Sequence, residues 1–309
     1  MRHIHIATLS SFLALGAFTL AANTQAAVSS AELYTGASYK FGRFEARVRF
    51  AAGDGVISSF FLWKDGSEVS GTFWNELDFE KVGADCHLET NALFGTPVSS
   101  SPKKHPIAVD LCADFHTYVY EWTPDYIAWF VDGTEVRRDT GATATAFANN
   151  AAAGMQIRFN VWPGDASFGG NFSPAILPVR QHIDWVQYSS YADGAFTLDW
   201  REDFSEGTLS SRWLTGSWSS PKNLSTHQPA NVTLMDDIAV LSLTSDGSGG
   251  SGGGAATSGG SANNAGTTGY QPLPDDGCAV RAPRGESKPL ALLGAALIAG
   301  LQAWRRRRR

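Results

Sequence analysis

The chain is 309 residues long with a formal net charge of −6 at pH 7. That length allows a domain with a real hydrophobic core, and the acidic balance argues against nucleic acid as a partner. No Gly-rich phosphate loop and no Cys/His group at metal-ligand spacing occurs, which argues against nucleotide and zinc chemistry.

Residues 1–26 open with Arg2, His3 and His5, continue as an apolar run from Ile6 to Ala22, and close on the small residues Thr24 and Ala26. This is the layout of a secretory signal peptide, so the protein is expected to be exported, to the cell surface or beyond it. A membrane-spanning helix is the alternative, disfavoured because Ser10, Ser11 and Gly16 break a short run.

Residues 27–245 form the expected folded body. Within it, short alternating runs recur between turn residues: Phe44 to Phe50, Thr117 to Trp122, Tyr126 to Val131, Met155 to Val161, Ile183 to Tyr188 and Ala239 to Leu243. Asp132-Gly133, between apolar flanks, predicts a tight hairpin. The body is therefore read as all-β, most economically a two-sheet antiparallel β-sandwich.

The stretch WNELDFE, Trp74 to Glu80, places carboxylates at every second position. On a helix they would scatter around the axis. On a strand Glu76, Asp78 and Glu80 share one face while Leu77 and Phe79 share the other. Two carboxyl groups in different protonation states are the working parts of glycoside hydrolysis, and a third between them raises its neighbours' proton affinity. Strand geometry separates the Cα atoms of Glu76 and Glu80 by about 13 Å, whereas a retaining mechanism wants carboxyl groups about 5 to 5.5 Å apart. Both side chains must lean inward, as a curved, concave sheet allows. By periodicity alone, a solvated acidic strand face accounts for the pattern equally well.

Residues 246–288 are read as a flexible Gly/Ser-rich linker carrying Cys278, and 289–309 as an apolar segment ending in five arginines. Leu290 to Trp304 is short for a full span, so membrane contact is expected only through this tail.

The segment from Ala31 to Gly83 closely resembles the family-16 glycoside hydrolases, and most of all the bacterial lichenases, endo-β-1,3-1,4-glucanases. The match is carried by Phe41 to Arg47, Gly55 to Leu62, Gly66-Ser67-Glu68 and Glu76 to Glu80, and continues through Phe115 to Tyr118, Glu121 to Pro124, Val131-Asp132-Gly133 and Arg158 to Trp162. The resemblance implies a jelly-roll, concanavalin-like sandwich acting on β-glucan. It implies Glu76 as nucleophile, Glu80 as general acid and base, and Asp78 as the group that tunes both. It also implies substrate contacts from Phe61, Trp63, Glu68, Trp74, Glu89, Asn91 and Trp162. Trp63, Asp65 and Glu89 stand where Tyr, Asn and Gln are common in the relatives. Laminarinase-type members insert a residue into the motif as a bulge; the regular spacing here is that of lichenases and xyloglucan-acting members. A laminarinase, a xyloglucanase and a non-catalytic surface lectin remain the alternatives.

Phe196 to Leu243, with Asp203-Phe204 and Ser211-Arg212-Trp213, is similar to the part that ordinarily begins a lichenase, yet here it follows the catalytic half. The resemblance thus implies circular permutation, as in one rumen-bacterial lichenase, and the two ends of the body should emerge side by side. The tail resembles myxobacterial C-terminal sorting signals, in which Cys278 would be the processing or lipid-attachment point; an uncleaved membrane anchor is the alternative.

Cys86 and Cys112 are candidates for a disulfide in an exported domain, with two buried thiols as the alternative. His87, His105, His116 and His182 are read as ordinary loop or core residues. No cofactor is required for the expected chemistry. One structural calcium, common in the family, is allowed for without any acidic loop to announce it. A monomer is expected.

Overall fold

The computed structural model describes residues 27–245, so the expected signal segment, linker, Cys278 and tail lie outside the described residues. The first half holds β1 (Val28–Thr35), β2 (Gly42–Arg49), β3 (Val56–Trp63), β4 (Trp74–Val82), β5 (His87–Gly95), and the short β6 (Val98–Ser100) and β7 (Lys103–His105). Then come β8 (His116–Trp122), β9 (Tyr126–Val131), β10 (Thr134–Thr140), the helix α1 (Ala142–Asn150) and β11 (Gln156–Pro163). The last part holds β12 (Val179–Ala192), β13 (Ala195–Glu202), β14 (Trp213–Thr215), β15 (Thr226–His227), β16 (Val232–Met235) and β17 (Ile238–Ser245).

Two antiparallel layers result. The first runs β14–β1–β11–β3–β4–β5, with β6 and β7 on its far edge. The second is built on the long β12, which pairs with β2 along one edge and with β17 and β13 along the other, and continues β2–β8–β9–β10. Strand β1 joins the layers, pairing with β17 through Val28 and Ser29 before it enters the first sheet. Every segment read as a strand from its alternation coincides with one, Phe50 and Met155 alone falling one residue outside β2 and β11, and Asp132 and Gly133 turn the β9–β10 hairpin with φ of 48° and 78°. This is the two-sheet jelly-roll sandwich expected.

Alternation decides which side chains fill the space between layers. In β2, Phe44, Ala46 and Val48 are buried while Arg43, Glu45, Arg47 and Arg49 face out. From the first sheet Phe60, Leu77 and Phe79 meet Tyr118, Tyr120 and Trp129 of the second, Phe60 lying 5.0 Å and Phe79 4.7 Å from the Tyr120 ring. The Tyr120 hydroxyl donates to the carbonyls of Phe60 and Leu77, and Trp129 Nε1 donates to the carbonyl of Asp78. Two polar tips thus pin the backbone of β3 and β4 from beneath, which is how a buried Tyr or Trp satisfies its donor. Lys81, also on this inner parity, is fully buried and donates to the carbonyls of Gly53 and Val56.

The helix α1 was not expected. Its Ala/Thr sequence carries only Ala144 and Phe147 as buried residues, too little for a helical period to stand out. Cys86 and Cys112 form a disulfide that ties the β4–β5 turn to the segment before β8. Val28 and Ser245 are ladder partners, so the two ends of the body lie side by side as expected. Among the described residues no helix is long and apolar enough to cross a membrane.

Candidate active site

On the face of the first sheet turned away from the second layer, β4 is flanked by β3 and β5. Its ladders to β3 and β5 run without a register shift, so Glu76, Asp78 and Glu80 project from one face. Trp63, Phe61 and Ser59 of β3 lie opposite them on one side; Leu93, Asn91 and Glu89 of β5 lie opposite on the other. Asp78 is 4% and Glu80 8% exposed, while Glu76 is half-buried. A strand with such acids is not a solvated face.

Burial penalises the charged form and pushes all three carboxyl groups upward, but unequally. Glu76 rises least, to about 7: burial raises it, while an N–H from Trp74 at 2.8 Å, a hydrogen bond with Asp78 and the nearby charge of Arg158 pull it back. Asp78 lies well above the usual carboxylate range through burial and then the charges of Glu76 and Glu80. Glu80 is also well above that range, through burial and then the charges of Glu89 and Glu76. Glu76 is thus raised least of the three, and unequal proton affinities are what a pair of catalytic carboxyls needs.

Around Glu76 the expected aromatic residues converge. Trp63 and Trp74 meet edge to face at 5.0 Å, both half-buried, and Phe61 lies beside Asp78, 6% exposed. Asn91 is buried across from Asp78, its Oδ1 accepting from the Ser101 amide. Glu68 sits on the loop before β4, half-buried, with Oε2 enclosed and unpartnered among the described residues. Trp162 differs from the expectation of an open platform. It lies on the same face of β11, yet only 2% is exposed, because Phe168 covers it at 6.1 Å in a cluster with Ile57 and Val82.

Several residues of this face were given no role from sequence. Arg158 of β11 donates to Glu32 of β1 at 2.8 Å and lies against the rings of Tyr34, Trp63 and Trp218 at 4.7, 5.6 and 5.8 Å. His227 Nε2 is 3.5 Å from Glu32, and its Nδ1 is 2.9 Å from Ser30 Oγ. Ser59 Oγ and Asn160 Oδ1, on the same parity, are enclosed without partners among the described residues. The alternation Ser30-x-Glu32-x-Tyr34 and Gln156-x-Arg158-x-Asn160 was the available signal. Trp218 and His227 reach this face only through the pairing of β1 with β14 and β15.

Of the histidines read as ordinary, His105 and His116 hold Thr90 and Asp132, and burial lowers His182 to about 4. His87 departs from that reading, standing between Asp85 and Glu89. Among the described residues, the one set of His, Cys, Asp or Glu donors close enough together to hold a metal is Cys86, Asp110 and Cys112. Both sulfurs are committed to the disulfide, so that set does not fit calcium, which takes oxygen ligands.

Residues 11–202, more than half of the chain, match Glycosyl hydrolases family 16. The chain belongs to this family. The family-16 hydrolase is 36% identical over 253 residues to a beta-glucanase of Fibrobacter succinogenes, covering 77% of this chain and 71% of that one. A Brevibacillus brevis beta-glucanase is 31% identical over 175 residues, covering 55% of this chain and 65% of the relative. A Paenibacillus polymyxa beta-glucanase is 32% identical over 155 residues, 50% and 61% of the two chains, so the match spans somewhat under two thirds of those two relatives. Among solved structures, a Bacillus licheniformis beta-glucanase aligns over 53% of this chain and 78% of that one, at 24% identity and a TM-score of 0.44.

Proposed function

We propose that this family-16 hydrolase is an exported endo-glucanase that cuts mixed-linkage β-1,3-1,4-glucan at β-1,4 bonds following a β-1,3-linked glucose, with retention at the anomeric carbon. The observation that carries this reading is the unbulged β4 ladder, which keeps all three acids on one face, with Glu76 as the carboxyl most ready to ionise. In the first step Glu76 attacks the anomeric carbon while Glu80 gives its proton to the departing glycosidic oxygen. A C–O bond to Glu76 forms as the C–O bond to the leaving sugar breaks. In the second, Glu80 takes a proton from water, whose oxygen displaces Glu76 from the same carbon. Asp78 hydrogen-bonds Glu76 and keeps it oriented through both steps. Carboxyl groups and water suffice for this chemistry.

Trp63, Trp74 and Phe61 offer faces for sugar rings, and Glu68, Glu89 and Asn91 offer polar contacts for hydroxyls. The circular permutation belongs to the same proposal. It is supported by the ladder pairing of Val28 with Ser245 and by the 77% coverage of the Fibrobacter relative, against 50 to 55% for the Brevibacillus and Paenibacillus ones. Export, attachment at Cys278 and a monomeric body complete it, the first two resting on residues outside those described.

The test is a panel of polymers. Purified protein incubated with barley β-glucan, lichenan, laminarin, xyloglucan and carboxymethylcellulose should release oligosaccharides rapidly from the first two and scarcely from the others. Equal or faster release from laminarin or xyloglucan would assign the site to a neighbouring specificity; binding of β-glucan without any release would make it a lectin.

A further inference from the structure

His87 opens β5 one residue after Cys86, whose backbone turns at φ 52° and whose sulfur is bonded to Cys112. Both ring nitrogens face carboxylates: Nδ1 is 2.8 Å from Asp85 Oδ1 and Nε2 is 2.9 Å from Glu89 Oε1. A neutral imidazole has a single N–H, so two ionised carboxylates are both satisfied only by the imidazolium. Glu89 in turn is 4% exposed and stands directly opposite Glu80 in the β4–β5 ladder, where facing side chains have Cβ atoms about 4.5 to 5.5 Å apart.

We propose that His87 is a positioning residue for the proton-transfer step, setting the proton affinity of Glu80 through Glu89, with Asp85 and the Cys86–Cys112 bond holding the imidazole in place. The proposal rests on the reading of Glu80 as acid and base. While His87 is the cation it offsets the charge of Glu89, and Glu80 releases its proton more readily. Once His87 is neutral, Glu89 acts on Glu80 uncompensated, and the proton is held to higher pH.

Among the charged groups around this pair, Glu76 also changes charge near neutrality, raised to about 7, and it acts on Glu80 alike in the parent and in His87 or Glu89 variants. Lys104 of β7 is 3.7 Å from Glu89 but half-exposed, so its effect is screened. Lys103 and Arg137 are both paired with Asp139. His105 is turned to Thr90, and burial followed by the charge of Arg137 lowers its pKa. On β4, Glu76 and Asp78 share a hydrogen bond, and Lys81, lowered by burial to about 8, points to the inner side. The contact with Glu89, and then that with Asp85, raises the pKa of His87 against the opposing effect of burial.

The test is the pH profile of kcat/KM on barley β-glucan, with a 13C titration of the Glu80 carboxyl in glutamate-labelled protein without substrate. His87→Gln should move the alkaline limb and the Glu80 titration to higher pH by on the order of half to one unit. Glu89→Gln should move both to lower pH by a similar amount, and the double variant should match Glu89→Gln, because His87 acts through Glu89. The 15N spectrum of His87 should show a doubly protonated ring to a higher pH in the parent protein than in Glu89→Gln. A folded His87→Gln protein with an unmoved Glu80 titration overturns the proposal, as does a double variant that shifts like His87→Gln. The carboxyl titration reads the relay whatever glucan is cleaved, so a failure of the substrate assignment is seen separately in the polymer panel.

Discussion

Glu76→Gln should lower turnover of barley β-glucan to less than about 1% of the parent rate while leaving glucan binding intact. The amide keeps the shape of the side chain and can still accept the Trp74 N–H at the oxygen that now sits 2.8 Å away, but it cannot form a glycosyl ester. Folding should survive, because the substitution removes an ionisable group from a crowded, desolvated triplet, so the melting temperature should stay level or rise. Affinity electrophoresis in β-glucan gels separates the two effects. A variant that kept more than a few percent of activity would place the nucleophile elsewhere.

Glu80→Gln should cost about 10² to 10⁴ in rate on natural glucan, the usual worth of a positioned acid and base. The loss should be smaller on an aryl glycoside whose leaving group needs no proton. Azide should restore part of that activity, because it attacks the glycosyl-enzyme without a general base and gives a β-glycosyl azide. The pH profile adds a second readout. The proposed mechanism requires Glu76 ionised and Glu80 protonated, so the acid limb of kcat/KM in the parent should lie near 7 and the rate should fall as pH drops through it. On the aryl glycoside, Glu80→Gln should keep an acid limb and lose the alkaline one. An alkaline limb that survived unchanged would show that another group carries the proton.

The triplet was legible because the strand period is local: WNELDFE alone puts three acids on one side and Leu77 and Phe79 on the other, and β4 is built that way. The Asp132-Gly133 hairpin was legible for the same reason, since both residues take the positive φ such a turn requires. What the alternation could not reveal is which strands meet. Glu32, Arg158 and the pair Trp218 and His227 come from three distant stretches and converge only because β1 lies between β11 and β14 and also pairs with β15. Trp162 matched a sugar platform by register, but its cover, Phe168, comes from a loop without periodicity. His87 looked ordinary because its partners at positions 85 and 89 gain meaning only when the ladder sets Glu89 against Glu80. Helix α1 was missed because Ala and Thr carry little apolar pattern.

The central claim is that Glu76 and Glu80 hydrolyse a β-1,4 bond by double displacement, and the configuration of the first-formed product tests it most directly. Barley β-glucan digested with a high concentration of the protein in an NMR tube should show new reducing ends first as the β-anomer, with the α-anomer appearing only as mutarotation proceeds. The new ends should belong to glucose units substituted at O3. An α-anomer that appeared first would mean inversion, and the assignment of Glu76 as a nucleophile would fall with it.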